Sequence, residues 1–539
     1  MSKQANLGSK HTRGEIVYDL IFRNARIVDG TGAPWFFGEV AVAGDEIKEV
    51  AYKIDAQAKR AIDCKGMVLS PGFIDAHSHS DSCWFVDKRG ESKIRQGVTT
   101  EVTGQCGASP APIAGKRTDL RSTEEGARVS WSTFGEYLSA LEQNGVGLNI
   151  VPLVGHGALR SCAVGYDARP PTRAELDEMK ALLVEALSSG AFGFSTGLIY
   201  PPSSFADTEE LIELARTMSA YGGIYATHMR NEGTGLLESV EEAIRIGREG
   251  NVPVHISHHK ASGKAAWGLV KRSLAMIDEA RSQGVDVTCD QYPYVASATG
   301  FKAIIPSWAH EGGSQALLAR LKDPETGARL KKEVQDYQGP VDGWSKMLIT
   351  SVANETYKFA EGKRIPEIAS ILGVSEVDAA FELLIESNLN VGYAHFGMSE
   401  EDVKTVMAHP VVMIGSDSSC RAIDGPLATG KPHPRAYGTF PRVLGKYVRE
   451  EKVFTLENAV FKMTGMTAAR FGLMDRGLIR PGMKADITVF DPETIIDKAT
   501  FEEPNQYPVG IEHVMINGVL AVENGESTGK IAGRVIRRK

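Results

Sequence analysis

PGFIDAHSHSD, residues 71–81, is the stretch on which the fold turns. The apolar residues Val68, Leu69, Phe73 and Ile74 lead through Pro71 and Gly72 into two imidazoles, His77 and His79, separated by one residue. Alternate residues of a strand face the same side. Two imidazoles at one strand end can therefore grip one metal ion, while the apolar residues before them anchor that strand in a core. By itself the pattern is weak; the rest of the chain gives it weight.

From Thr172 to Pro441 short apolar runs alternate with amphipathic helices. Thr172 and Glu175 form a capping box that opens a helix reaching about Gly190, and Asp207 with Glu210 opens another that stops at Gly222-Gly223. The β-like runs are Ile224–Ala226, Val252–Ile256, Val285–Cys289, Val391–Ala394 and Val411–Ile414. Repeated βα units imply a parallel sheet. Eight such units close into an α/β, (β/α)8 TIM-like barrel, whose chemistry sits where strands run into the following loops. His228 after IYAT, His258 after PVHIS and Asp417 after MIGS all occupy that position.

The flanks differ. Residues 16–69 and 479–537 alternate short β-rich runs with Gly and Asp turns, and two β-rich ends around a βα domain pair most economically with each other. The expected organisation is a small β-sandwich from 16–69 plus 471–539, a catalytic barrel over 70–470, and an insertion at about 300–350 near the barrel mouth. Gly312-Gly313, Lys322-Asp323-Pro324 and Gly339-Pro340 interrupt the helical pattern there.

Composition narrows the partners. Acidic residues outnumber basic ones by 68 to 60, a net charge of −8, and the lysines and arginines are dispersed. No nucleic-acid or anionic-membrane partner is expected. The first twenty residues hold no apolar stretch of signal-peptide length, and no run approaches the roughly 18 apolar residues of a membrane span. The six cysteines at 64, 83, 106, 162, 289 and 420 lack framework spacing. A cytoplasmic protein is expected, in which a special cysteine is a ligand or nucleophile rather than half a disulfide. Assembly into a homo-oligomer is left open.

Cys106, in VTTEVTGQCGAS, follows the strand Val98–Val102, and Gly104 and Gly107 let its backbone turn tightly. A thiolate holds zinc better than manganese or magnesium, so with His228 and His258 it would complete a borderline-soft site. His255 and His259 compete for that assignment, although His255 lies mid-strand. Asp417 could accept a proton from a metal-activated water and deliver it to a leaving nitrogen; a plain Gly-Ser-Asp turn is the alternative.

Taken in order, PGFIDAHSHSD (71–81), GVTTEVTGQCG (97–107), GFSTGLIYPP (193–202), ATHMRNE (226–232), HISHHKASG (255–263), DQYPY (290–294), GSDSS (415–419), PHPRAYGTFPRVLG (432–445) and RPGMKADITVFDP (480–492) carry a resemblance. The chain resembles the amidohydrolase superfamily and, within it, the N-acyl-D-amino-acid deacylases, or D-aminoacylases, over about residues 18–539. That resemblance implies one tight zinc on His228 and His258, a second, weaker metal position on His77 and His79, and Cys106 bridging the two. It implies Asp417 as general acid/base, with Tyr200, Lys260, Tyr292 and Arg435 gripping the carboxylate of an N-acyl amino acid substrate. Two departures stand out: VASAT after YPY, where relatives more often carry Gly-Ser-Thr, and a long SSCRAIDGPLATGK between Asp417 and Pro432. The expected reaction is zinc-dependent cleavage of the N-acyl amide of a D-amino acid. Cyclic-amide opening of the hydantoin or dihydroorotate type is the first alternative, disfavoured by a cysteine where those enzymes usually bridge with lysine. A non-catalytic scaffold on the same fold is the second, and it would have lost ligands that are all present here.

Overall fold

The computed structural model describes residues 17–117, 126, 128–338 and 343–539. The leader up to Ile16 and the Gly339-Pro340 break in the expected insertion lie outside these.

Eight parallel staves form the barrel: β1 (Phe73–Asp75), β2 (Val98–Thr103), β3 (Asn149–Pro152, continuing as Val154–Gly155), β4 (Gly193–Gly197), β5 (Ile224–His228), β6 (Val254–Ile256), β7 (Val287–Gln291) and β8 (Val412–Ile414). Hydrogen bonding joins β1 through β2 to the first half of β3, and the second half of β3 through β4, β5, β6 and β7 to β8. The seam closes between β8 and β1, where Ala76 N donates to Ile414 O (3.3 Å) and Asp417 N to His77 O (2.8 Å). Val102, Val151, Ala226 and Met413 fill the interior from their staves, while Val98, Phe194, Tyr225 and Ile256 pack outward against the helices. Both expected helix starts are present: Thr172 and Glu175 form the capping box of Arg173–Ser188, and Asp207 caps Thr208–Ser219. Each such cap stabilises its helix by about 1 kcal/mol.

The two chain ends meet in one nine-stranded sheet. Val68–Pro71 is the link: it pairs parallel with Val17–Ile27 and antiparallel with Ile487–Phe490. The edge strand Glu46–Ala51 returns against the chain entering Ile487–Phe490, with Ile47 N donating to Met483 O and Ala485 N to Asp45 O, both 2.8 Å. The sheet is thus curled over a core that includes Phe22, Ile27, Val40, Leu69, Ile487 and Met515.

One expected stave is elsewhere. Val391–His395 is the central strand of an antiparallel three-stranded sheet with Ser297–Gly300 and Met347–Val352. Its four flanking helices, Gly313–Lys322, Pro324–Gln338, Ile365–Leu372 and Glu376–Glu386, pack on a core of their own that includes Phe301, Leu330, Phe381 and Leu384. The excursion between β7 and β8 therefore runs well past residue 350. A five-residue apolar run reads the same in any sheet, so its pattern could not assign it to the barrel. Among the described residues no helix is long and apolar enough to cross a membrane, and all six cysteines are free thiols.

Candidate metal centre

The candidate metal ligands and Asp417 are each delivered by the end of a stave. His77 and His79 follow β1, Cys106 follows β2, His228 ends β5, His258 follows β6 and Asp417 follows β8. Three of them hold left-handed backbone: Cys106 (φ 53°), His258 (φ 36°) and Asp417 (φ 50°). Such conformations cost a non-glycine residue roughly 1–2 kcal/mol and persist where surrounding structure imposes them. Around Cys106 that structure is glycine. A Cβ on Gly104 would lie 1.9 Å from Leu153 O, and one on Gly107 2.8 Å from Gly197 N. Only bare backbone lets the Cys106 loop lie flat across β3 and β4.

The donor atoms converge. Cys106 Sγ is 3.4 Å from His77 Nε2, 3.5 Å from His258 Nε2 and 3.7 Å from His228 Nδ1. A tetrahedral zinc with Zn–S near 2.3 Å and Zn–N near 2.0–2.1 Å separates sulfur from nitrogen by about 3.6 Å. The donor set thus fits a tetrahedral ion in spacing as well as chemistry. His77, Cys106, His258 and Asp417 offer ligand atoms within 4.8 Å of one another, and so, separately, do His228, Glu232 and His258. His79 stands apart from both groups: its Nε2 is 3.0 Å from Asp417 Oδ1. Burial pushes the Cys106 thiol up, but the imidazoles of His77 and His258 beside it hold it well below the usual thiol value. The thiolate is the form that binds metal.

Asp417 Oδ2 lies 2.8 Å from Arg435 Nη1, both side chains almost wholly buried. Burial raises that carboxyl, yet the guanidinium and the neighbouring imidazoles hold it well below the ordinary carboxylate range. Arg435 also stacks 4.6 Å above the ring of Tyr292, and its Nη2 donates to Ala298 O at 3.1 Å. Tyr292 OH is buried without a hydrogen-bond partner. Tyr200 OH meets Thr299 Oγ1 at 2.9 Å, so the VASAT departure still supplies a hydroxyl here, from Thr299. Lys260 is already engaged, its Nζ 2.5 Å from Glu232 Oε1 and 2.7 Å from His258 Nδ1. His255 and His259, the competing histidines, are tied elsewhere: His255 to Thr288 and Asp290, His259 to Ser273.

Residues 60–522 match the Amidohydrolase family. The chain belongs to that family. The D-aminoacylase of Alcaligenes xylosoxydans xylosoxydans is 39% identical over 523 residues, 97% of this chain and 98% of that protein. The N-acyl-D-glutamate deacylase of Bordetella bronchiseptica, solved with zinc and a phosphonate mimic of its tetrahedral intermediate, superposes with a TM-score of 0.82 at 33% identity, covering 97% of this chain and 100% of that one. A D-aminoacylase structure with a binuclear metal centre, one metal activating and the second attenuating, superposes with a TM-score of 0.81 at 40% identity over the same shares, 97% and 100%.

Two carboxylates of this amidohydrolase carry no mark in the sequence although both lie in its motifs. Asp290, in β7, places Oδ2 3.4 Å from His77 Nδ1 and 2.8 Å from His255 Nε2, and its Oδ1 accepts the His258 backbone N–H at 2.9 Å. Glu232 places Oε1 2.9 Å from His258 Nδ1 and Oε2 3.7 Å from His228 Nε2. Carboxylates behind ligating imidazoles fix the tautomer that turns the other nitrogen to the metal. The available signal was position: Asp290 lies near the end of a stave, and Glu232 follows His228 by four residues. Glu232→Gln is expected to weaken metal binding by about 10- to 100-fold without unfolding the chain, which chelator competition measures; parent-like affinity would reduce Glu232 to a counter-ion for Lys260.

Proposed function

We propose that this amidohydrolase removes the acyl group of N-acyl-D-amino acids, giving a carboxylate and a free D-amino acid. Cys106, His228 and His258 would hold a tight zinc, and His77 and His79 with Asp417 border a second, weaker position. Zinc, when bound, polarises the scissile carbonyl and brings the pKa of water toward neutrality. The rest is done by side chains of this chain. Asp417 accepts the proton of the attacking water and passes it to the amide nitrogen as the C–N bond breaks.

The observation that carries the reading is the Arg435–Asp417 pair at 2.8 Å. It sets a bidentate cation beside the proton carrier, as required when the substrate bears a free carboxylate one carbon from the amide being cut. Tyr292 OH makes no hydrogen bond, and Arg435 is held only by Asp417 and the Ala298 carbonyl; these are the donors that carboxylate would meet. Lys260, paired with Glu232, supports the clamp by charge rather than as a free donor. Residues 16–69 and 471–539 serve as the support of a barrel over 70–470. Six free thiols favour a reducing compartment, the cytoplasm.

A panel of N-acyl amino acids in both enantiomers, followed by amine release, tests the proposal. Turnover of D substrates well above L substrates is expected, and preference for L substrates or for cyclic amides would overturn it. Arg435→Ala is expected to lower kcat/KM for free-acid substrates by about 2–4 kcal/mol, the range for a truncated partner of a buried charge. A substrate whose carboxylate is capped as an amide should discriminate much less between parent and variant. Equal treatment of acid and amide, both near the parent rate, would move the clamp elsewhere.

A further inference from the structure

Below the metal centre lies a buried lysine that the reaction does not use. Lys93 sits on the short helix Glu91–Ile94 between β1 and β2, and its side chain is completely buried. Its Nζ donates to Asp75 Oδ2 (2.7 Å), Ser416 Oγ (2.7 Å), Ser418 O (2.8 Å) and Ser78 Oγ (3.2 Å). Glu101 Oε2 is 3.8 Å away. Ser78 stands between His77 and His79, and Ser416 and Ser418 bracket Asp417. The ammonium therefore holds, from one point, the two backbone turns that present His77, His79 and Asp417.

This is also where the barrel is least secured by its own ladder. β8 is three residues long and forms no ladder with β1; the seam is held by a few backbone bonds past the strand ends, around the isolated bridge of Ser78 to Ser418. Asp75 completes the joint: its Oδ1 accepts the backbone N–H of Ser416 (2.8 Å) and of His77 (3.2 Å), and its Oδ2 accepts from Ser416 Oγ (2.6 Å). Across the seam above, Asp417 Oδ1 is 3.0 Å from His79 Nε2 and 3.5 Å from His77 Nε2. Isolated buried charges are costly, so an ammonium with a carboxylate and three further acceptors in fixed directions is a rigid joint.

We infer that Lys93 is a positioning residue: it ties the ends of β1 and β8 together and thereby sets the spacing between the His77 and His79 imidazoles and the Asp417 carboxylate. The inference rests on the deacylase reading of the site. It assigns Lys93 no contact with substrate or with Cys106, His228 and His258, so the tight metal position should not depend on it.

Lys93→Met keeps the length of the side chain and removes the four bonds. Expected is a fall in kcat of about 100-fold, the cost of a small misplacement of catalytic groups, with KM within about twofold of the parent and unchanged affinity for one equivalent of zinc by chelator competition. A kcat within about threefold of the parent would overturn the inference. So would zinc affinity falling in step with kcat, which would mean general loosening. If Lys93→Met does not fold, Ser416→Ala, which removes one of the four partners, carries the test. It should lower kcat about three- to tenfold with KM and zinc affinity unchanged, and parent-like kcat would overturn the inference. Failure of the underlying reading shows differently, as a parent protein that takes up no zinc or leaves N-acyl-D-amino acids intact.

Discussion

Asp417→Asn is expected to retain metal like the parent and to lose about a thousandfold to ten-thousandfold in kcat, the range associated with removing a positioned proton carrier. The substitution isolates charge and proton transfer. Asp417 sits at φ 50°, a conformation asparagine tolerates as well as aspartate does, so the turn after β8 should survive. A carboxamide nearly fills the same volume, and Asp417 N still donates to His77 O. What disappears is the anion facing Arg435 Nη1 at 2.8 Å and His79 Nε2 at 3.0 Å. Substrate binding should weaken little, because Arg435 then lacks a competing internal anion, and the effect should appear in kcat rather than KM. Zinc content by elemental analysis together with steady-state kinetics decides it. A variant with parent-like kcat would move the proton carrier elsewhere. Two other histidines near strand ends are poorly placed for the task. His156 is locked between Ser203 Oγ and Glu210 Oε1, each at 2.9 Å, and His395 belongs to the three-stranded sheet outside the barrel. His79, already on Asp417, would be the remaining neighbour.

The residues legible in the sequence share one property: they are unusual residue types at the ends of apolar runs. Two imidazoles after Ile74, a cysteine between glycines after Val102 and an aspartate after Ile414 stand out because a stave end is where a barrel exposes side chains to its mouth. The barrel is expected from the repeated βα units of its second half and not from a count of all eight staves, and the joining of the chain ends follows from their matching β-rich character. Other features left no such mark. Val391–His395 looks like a stave because a five-residue apolar run is too short for its periodicity to tell one sheet from another. Glu232 and Asp290 stay hidden because a carboxylate behind an imidazole has the same letter as one in solvent. Lys93 is the extreme case. ESKI reads as a polar helix turn, and only the fold shows that its charge has no access to water. Lys260 shows the converse limit. The resemblance carried by HISHHKASG implies a grip on the substrate carboxylate, whereas Glu232 already holds its ammonium.

Cys106→Ala is expected to remove tightly bound zinc and, with it, essentially all activity. The thiolate is the donor that approaches all three of these imidazoles, 3.4–3.7 Å from the nitrogens of His77, His258 and His228. Without it the tight position keeps only the imidazoles of His228 and His258. Imidazoles alone bind zinc, but here they would do so without the soft anionic ligand, and the nearby carboxylates are already paired, Asp417 with Arg435 and Glu232 with Lys260. Zinc should bind the variant at least about a thousandfold more weakly, the loss expected when a charged first-row-metal ligand is deleted. Adding zinc to saturation should not restore the parent rate, since an ion held by imidazoles alone would be free to drift from the position that Asp417 and Arg435 are set to serve. Backbone strain does not confuse the comparison. Alanine and cysteine bear the same cost at φ 53°, and Gly104 and Gly107 continue to shape the loop. Circular dichroism and thermal melting would establish that the barrel persists, and chelator competition would read the affinity. A Cys106→Ala protein that kept both zinc and turnover would show that the sulfur is a bystander, and the centre would then have to be rebuilt around His77, His258 and Asp417.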